Sequence, residues 1–315
     1  MSTILHILTH NIIPVFIIMA VGFSIEKKFD LHITSLTKIN FYGVTPCFIF
    51  ANLYSVDIPF SMLYVIFFIL LFMAVSWIVA LIFARLLSLS RSESSVLVNA
   101  VIFLNSGNMG LPIITLVFAS SVLFEQAITI QISVLLIQSI GAQTLGFYIA
   151  RRGNGSVHWK DSLKSIFKMP AIYAGISVLI FKAIPIDLQT MFFWPSLLYM
   201  KDMMIGLALM TFGVQLAKTE WKIEGIKVFV AVFLRLVVGP IIAFGLIKLF
   251  NFSNVIAQVL LISSTMPTAV NTALVAVESD NSPKLASQIV MLSTIMSLFA
   301  LTIVIALSSY LFPVT

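Results

Sequence analysis

Two short stretches rich in Gly, Pro and Asn, set at matching places in two apolar runs, are where this chain could do chemistry. The first is Asn105-Ser-Gly-Asn108-Met-Gly110-Leu-Pro112, inside a run from about Val96 to Ala119. The second is Ser264-Thr-Met-Pro267-Thr-Ala-Val-Asn271, inside a run from about Val255 to Val277. Gly, Pro and Asn break the helical hydrogen-bond ladder. Broken backbone survives at membrane depth only where it is enclosed by protein or lines a wet cavity. A matched pair of such breaks points to the binding site of a secondary transporter built from inverted repeats. Proline is tolerated at the first position of a helix, so Pro112 and Pro267 are each expected to start a second half-helix. Such helix starts expose N–H donors and about half a positive charge each, which suits a carboxylate. Asn105, Ser106, Asn108, Thr265 and Asn271 would add amide and hydroxyl groups to the same place. Kinked structural helices packed through small residues are the alternative reading.

Charged residues inside the apolar runs are few. Arg235, in Phe233-Leu-Arg-Leu-Val-Val-Gly-Pro240, would cost at least ~2.5–3.5 kcal/mol at the bilayer centre, so it must face a cavity or a partner. It reads either as a counter-ion, for substrate or structure, or as a carbonyl-bonded arginine that holds the fold. Asp202, beside Lys201, and Glu278 are each a coupling carboxylate or an interfacial charge. Gln131 and Gln138, seven apart on one helical face, would line a path or bond between helices. Asn11, Asn40 and Asn52 are further interior candidates.

The elements that must hold these residues are membrane helices. Hydrophobic residues make up 60% of the chain and charged residues 10%, against roughly 25% charged in soluble domains. Mean hydropathy is +1.10. The 315 residues accommodate about ten spans of ~20–25 residues. The expected spans are Leu5–Ile25, Lys38–Val56, Met62–Leu87, Ser92–Ala119, Gln126–Ala150, Phe167–Ile184, Ser196–Ala217, Gly225–Phe250, Asn254–Glu278 and Leu285–Leu311. Of the 18 Lys and Arg, 14 fall in loops after odd-numbered spans and 2 after even-numbered ones; Lys201 and Arg235 are the others. The positive-inside rule then places both termini outside the cytoplasm. The N-terminal run reads as span 1 and not as a signal peptide.

The fold class expected is therefore an all-α polytopic membrane protein of ten transmembrane helices, arranged as two inverted five-helix repeats. Residues 1–150 form the first repeat, the basic stretch 151–166 a cytoplasmic connector, and residues 167–315 the second repeat. The breaks fall in span 4 and span 9, the fourth span of each half.

Several chemistries are excluded or unsupported. The single cysteine, Cys47, rules out an internal disulfide and a cysteine metal cluster. His6 and His10 share a helical face with no third ligand nearby, while His32 and His158 lie apart, so no metal site is expected. No phosphate-binding glycine loop, cofactor motif or catalytic set is visible, so no cofactor, enzymatic activity or nucleic-acid partner is expected. The expected partners are a small organic anion and the lipid bilayer of the cytoplasmic membrane.

The chain resembles the auxin efflux carrier family, within the wider bile-acid, arsenite and riboflavin transporter group. The resemblance runs nearly end to end. It is carried by Ile39-Asn40 with Pro46-Cys-Phe-Ile-Phe50, by Asn105 through Gly110-Leu-Pro112, and by Asp202 with Gly206-Leu-Ala-Leu-Met-Thr-Phe-Gly213. Arg235 with Gly239-Pro240, and Met266-Pro267 with Glu278, complete it. The resemblance implies a scaffold of spans 1, 2, 6 and 7 and a transport domain of spans 3–5 and 8–10. It also implies spans 4 and 9 crossing at their breaks, elevator-type alternating access, and a homodimer. Plant members contact substrate through the asparagine matching Asn105. This chain lacks their long central loop and has Thr272 where they often carry a second proline, which points away from auxin toward small carboxylates such as malate or malonate. A sodium-coupled symporter like the bile-acid carriers and a non-transporting membrane sensor are the alternatives.

Overall fold

The computed structural model describes residues 9, 12–57, 62–153, 169–218, 223 and 225–313. His6, His10, Asn11, His158 and most of the expected connector lie outside the described residues. Those residues are helical apart from turns and a single β-bridge. In chain order the helices are α1 (Ile13–Phe29), α2 (33–54), α3 (Met62–Leu86), α4 (Arg91–Ile102), α5 (Ser106–Val117), α6 (Phe124–Gly153), α7 (Pro170–Lys182), α8 (Trp194–Lys218), α9 (Ile226–Leu249), α10 (Asn254–Ser264), α11 (Val270–Glu278) and α12 (Pro283–Leu311). A short 3₁₀ turn, Leu188–Thr190, precedes α8.

Five helices, α3, α6, α8, α9 and α12, are long and apolar enough to cross a membrane on their own. Shorter apolar helices, α5, α7 and α10, accompany them. The fourth and ninth expected spans are each two short helices, α4 with α5 and α10 with α11, which is the local consequence of the breaks.

Packing follows side-chain size. The α1 helix lies along α8, and two glycines let the backbones touch. A Cβ on Gly22 would sit 2.2 Å from the Met210 carbonyl oxygen, and one on Gly213 would sit 1.9 Å from that of Met19. Small residues at a crossing are how membrane helices gain dispersion contact when lipid removes the hydrophobic drive. The α2 helix packs on α7 and α8, α3 on α4, α6 on α10, and α12 on α9, α10 and α11. Apolar side chains such as Phe67, Ile78, Phe229, Ile241 and Phe299 point outward, as a lipid-facing surface requires.

Wide π-type turns interrupt α2 at Asn40–Val44, α6 at Ala142–Gly146 and α9 at Leu234–Val238, and one opens α5 at Ser106–Gly110. Such turns re-aim side chains and occur often at functional sites. Here each places a residue on one central region: Asn40, Ala142 and Ser106 around a cavity, and Arg235 beside it.

Candidate functional site

The two breaks pair with each other. Asn105 donates its N–H to the Pro267 carbonyl at 2.8 Å, and Ala269 donates to Phe103 at 2.9 Å. Leu104 and Thr268 thereby form an antiparallel bridge between segments more than 150 residues apart. The remaining donors are also used. Phe103 N–H reaches Asn99, Ser106 reaches Leu104, Thr265 reaches Ile262 and Met266 reaches Ser263. Leu104 N–H donates to Gln138 Oε1 at 3.1 Å and Thr268 N–H to Ser293 Oγ at 3.2 Å. Pro267 has no N–H to satisfy, so an extended position at the crossing suits it. Backbone that leaves the helix inside a membrane must find partners in this way.

Pro112 stands at the first positions of the α-helical part of α5, Leu111–Val117, whereas Pro267 does not start its half-helix. α5 opens at Ser106, six residues before Pro112, and α11 opens at Val270, three residues after Pro267. The wide turn Ser106–Gly110 uses longer bonds, with Gly110 N–H on Asn105 O and Leu111 N–H on Ser106 O, and so delivers the chain to Pro112 already helical.

Arg235 holds the crossing from behind. It is fully buried, and its guanidinium donates to the carbonyls of Val101 and Ser264, in the last turns of α4 and α10. The guanidinium also lies 5.7 Å from the centre of the Phe72 ring. Each helix C-terminus carries roughly half a negative charge, so the two ends together balance one cation. Of the two readings of Arg235, the geometry matches the carbonyl-bonded one.

In front of the crossing lies a cavity of about 120 Å³. Asn105, Ser106, Asn108, Asn271, Gln138 and Asn40 line it, together with Thr211 from α8. The first turns of α5 and α11 both open onto it, and the first N–H groups of a helix lack partners within that helix. Asn40 Nδ2 donates to Asn108 Oδ1 at 3.4 Å, tying α2 to α5. Asn105 Nδ2, Gln138 Nε2 and Thr211 Oγ1 are buried without a hydrogen-bond partner. These residues are only 5%, 2% and 3% exposed. Buried polar groups are almost always bonded, so three such groups on one cavity make it the candidate site. Among the described residues, no ionisable side chain lines the cavity.

The other expected site residues lie elsewhere. Thr265 is buried, with its hydroxyl bonded to Leu261 O at 3.1 Å in its own helix. Pro112 is buried inside α5. Gln131 donates to Ser106 O at 2.9 Å and accepts from the Ser263 hydroxyl, bracing the crossing from α6. Asp202 and Glu278 are exposed on α8 and at the end of α11, away from the cavity lining. Thr211, Thr268 and Ser293 escaped the sequence reading. Thr268 stands within the second break itself, and its hydroxyl donates to Ala100 O at 2.9 Å.

A second cavity, of about 510 Å³, adjoins the first and shares Gln215, Val270 and Leu274 with it. Lys218 and Lys284 stand on its walls. On the far side of Leu104 and Gln138, between Phe68, Phe72 and Ser263, only about 10 Å³ is open, roughly one water.

A family described as membrane transport protein matches residues 7–162 and 156–305. The chain belongs to this auxin efflux carrier-like membrane transport family. An uncharacterized transporter of Methanocaldococcus jannaschii is 28% identical to it over 161 residues, 50% of this chain and 52% of the relative. The chain thus spans about half the length of the curated relative it matches. Membership in this family and the five long apolar helices make the chain a multi-pass membrane protein.

Proposed function

We propose that this protein is a secondary transporter of small organic anions in the cytoplasmic membrane, working in efflux or exchange by alternating access. The observation that carries this reading is the cavity on which two half-helix N-termini and the unpartnered Nδ2 of Asn105 converge, with no ionisable side chain among its described lining residues. Positive helix ends and amide donors in an enclosed site favour a carboxylate. Asn108, Ser106 and Asn271 complete the polar wall.

The same reading takes the helices as two inverted five-helix repeats, with both termini outside. Its support is reciprocal packing: α1 lies on α8 as α7 lies on α2, and α3 lies on α4 as α9 lies on α10. The scaffold is then α1, α2, α7 and α8, and the remaining helices move against it. Lys218 and Lys284 belong to the loops assigned to the cytoplasm, so the larger cavity is a vestibule open inward while the Phe68–Phe72 side is closed. An anion enters past the lysines, docks at the crossing, and leaves outside after the moving helices shift.

The test is flux of radiolabelled monocarboxylates, dicarboxylates and indole-3-acetate in proteoliposomes, wild type beside Asn105→Ala. Saturable flux that the variant loses supports both carrier and site. Folded protein that moves no carboxylate under any pH or voltage gradient overturns the reading.

A further inference from the structure

Resting on that reading, we propose that the substrate is a small, singly charged carboxylate carrying one further oxygen, and that Thr211 is the residue that selects for this oxygen. The carboxylate belongs to Asn105 and Gln138. Gln138 is held by its Oε1 to the N–H of Leu104, the residue next to Asn105, and both amide side chains line the same cavity. Both of their free atoms are nitrogens, Nδ2 and Nε2, which only donate. Their complement is a group with two acceptor oxygens.

Thr211 stands apart from this pair. It lies on α8, outside the crossing, and its hydroxyl is the third buried group on the cavity without a partner. A carboxylate already matched by two amides leaves that hydroxyl for a different oxygen of the same molecule. A hydroxyl both donates and accepts, so a 2-hydroxy or a 2-oxo acid satisfies it. A ligand held this way also bridges α8 and the crossing, so its size decides whether both ends are met.

Charge and volume narrow the class further. The guanidinium of Arg235 is spent on the carbonyl ends of α4 and α10, leaving two half-positive helix starts facing the cavity. These neutralise about one negative charge. A second carboxylate would face Met204, Ala171 and neutral hydroxyls, without a counter-charge. The cavity at the crossing is small, about 120 Å³, so a ligand larger than a short acid must extend into the adjoining cavity of about 510 Å³.

The experiment is competition for radiolabelled lactate counterflow in proteoliposomes by lactate, propanoate, malate and indole-3-acetate, with wild type, Thr211→Val and Thr211→Ser. Wild type should prefer lactate over propanoate by at least about tenfold, since a site that bonds a hydroxyl rejects the analogue lacking it. Thr211→Val should collapse the preference of lactate over propanoate to about unity, and Thr211→Ser should restore it. Malate or propanoate equal to lactate in wild type, or a preference that persists in Thr211→Val, overturns the proposal. The wild-type series decides the matter alone if the valine variant does not fold. Flux confined to dianions or indole acids defeats this inference and leaves anion transport standing. No flux of any carboxylate from folded protein defeats both.

Discussion

The backbone N–H of Asn105 is bonded to the carbonyl of Pro267 at 2.8 Å, while the side-chain amide of Asn105 has no partner. Main chain and side chain therefore have separate jobs at this position. The first joins the two breaks, and the second is the group that the proposed function gives to the ligand. Asn105→Ala should keep the crossing and lose the ligand contact. We expect binding weakened by about 1–3 kcal/mol, roughly 5- to 150-fold in Kd, with thermal stability in detergent unchanged or slightly raised. Titration of folded variant with the transported acid checks this.

Arg235 should behave as part of the frame. Arg235→Met leaves the Val101 and Ser264 carbonyls buried without a donor, at about 2–5 kcal/mol in total. Arg235→Lys should recover only part of that, because one ammonium does not reproduce the two-pronged guanidinium fork. Melting in detergent should rank wild type, lysine, then methionine.

The approach of α1 to α8 makes a sharper packing prediction. Gly213→Ala pushes a methyl carbon to 1.9 Å from Met19 O, so the helices must separate, at about 1–3 kcal/mol. Gly206→Ala, on the same helix, meets nothing within 4 Å and should be neutral or stabilising. The pair of melting temperatures tests whether contact, and not glycine itself, matters.

Flux should not respond to sodium. The helix ends at which a cation would be favoured, those of α4 and α10, are already occupied by the Arg235 guanidinium, and among the described residues no carboxylate lines the cavity. Replacing sodium with choline at fixed voltage and pH is the measurement. A sodium-stimulated rate would point back to a symporter.

At the end of α1, Lys218 Nζ lies 2.9 Å from Asp30 Oδ1 and 2.9 Å from Glu26 Oε1. The Lys218 ammonium beside it holds the Asp30 carboxyl below its ordinary value of 3.8. A carboxyl lowered by folding stabilises the fold above its unfolded value and loses that effect as pH falls through the folded one. Asp30→Asn should therefore melt slightly earlier than wild type at pH 7, with the gap closing below pH 3.8. Because Asp30 is solvent-exposed, the gap should also shrink with added salt.

Much of the frame was legible in the residues. Apolar runs gave the long helices, and the Gly-Pro-Asn clusters gave the breaks, because both effects act within one or two helical turns. Pro112 does open an α-helix, behind a π-type turn that the residues did not announce, while the start of α11 lies three residues past Pro267 because an extended pairing holds that proline. Gln131 and Gln138 share a helical face, yet one braces Ser106 and Ser263 while the other lines the cavity. Thr211 stood inside the Gly206–Gly213 stretch that carried the resemblance, yet no local signal separated its hydroxyl from any other in an apolar helix.

Composition and helix-breaking chemistry determined by themselves that this chain is helical, membrane-embedded and interrupted twice. The tertiary structure alone decided that Leu104 meets Thr268, that Arg235 clamps Val101 and Ser264, and that Thr211 shares a cavity with Asn105. The reason is range. Propensity and hydropathy are set by residues three or four apart, whereas these partners lie 29 to 164 positions apart and are chosen by which buried polar groups packing brings together.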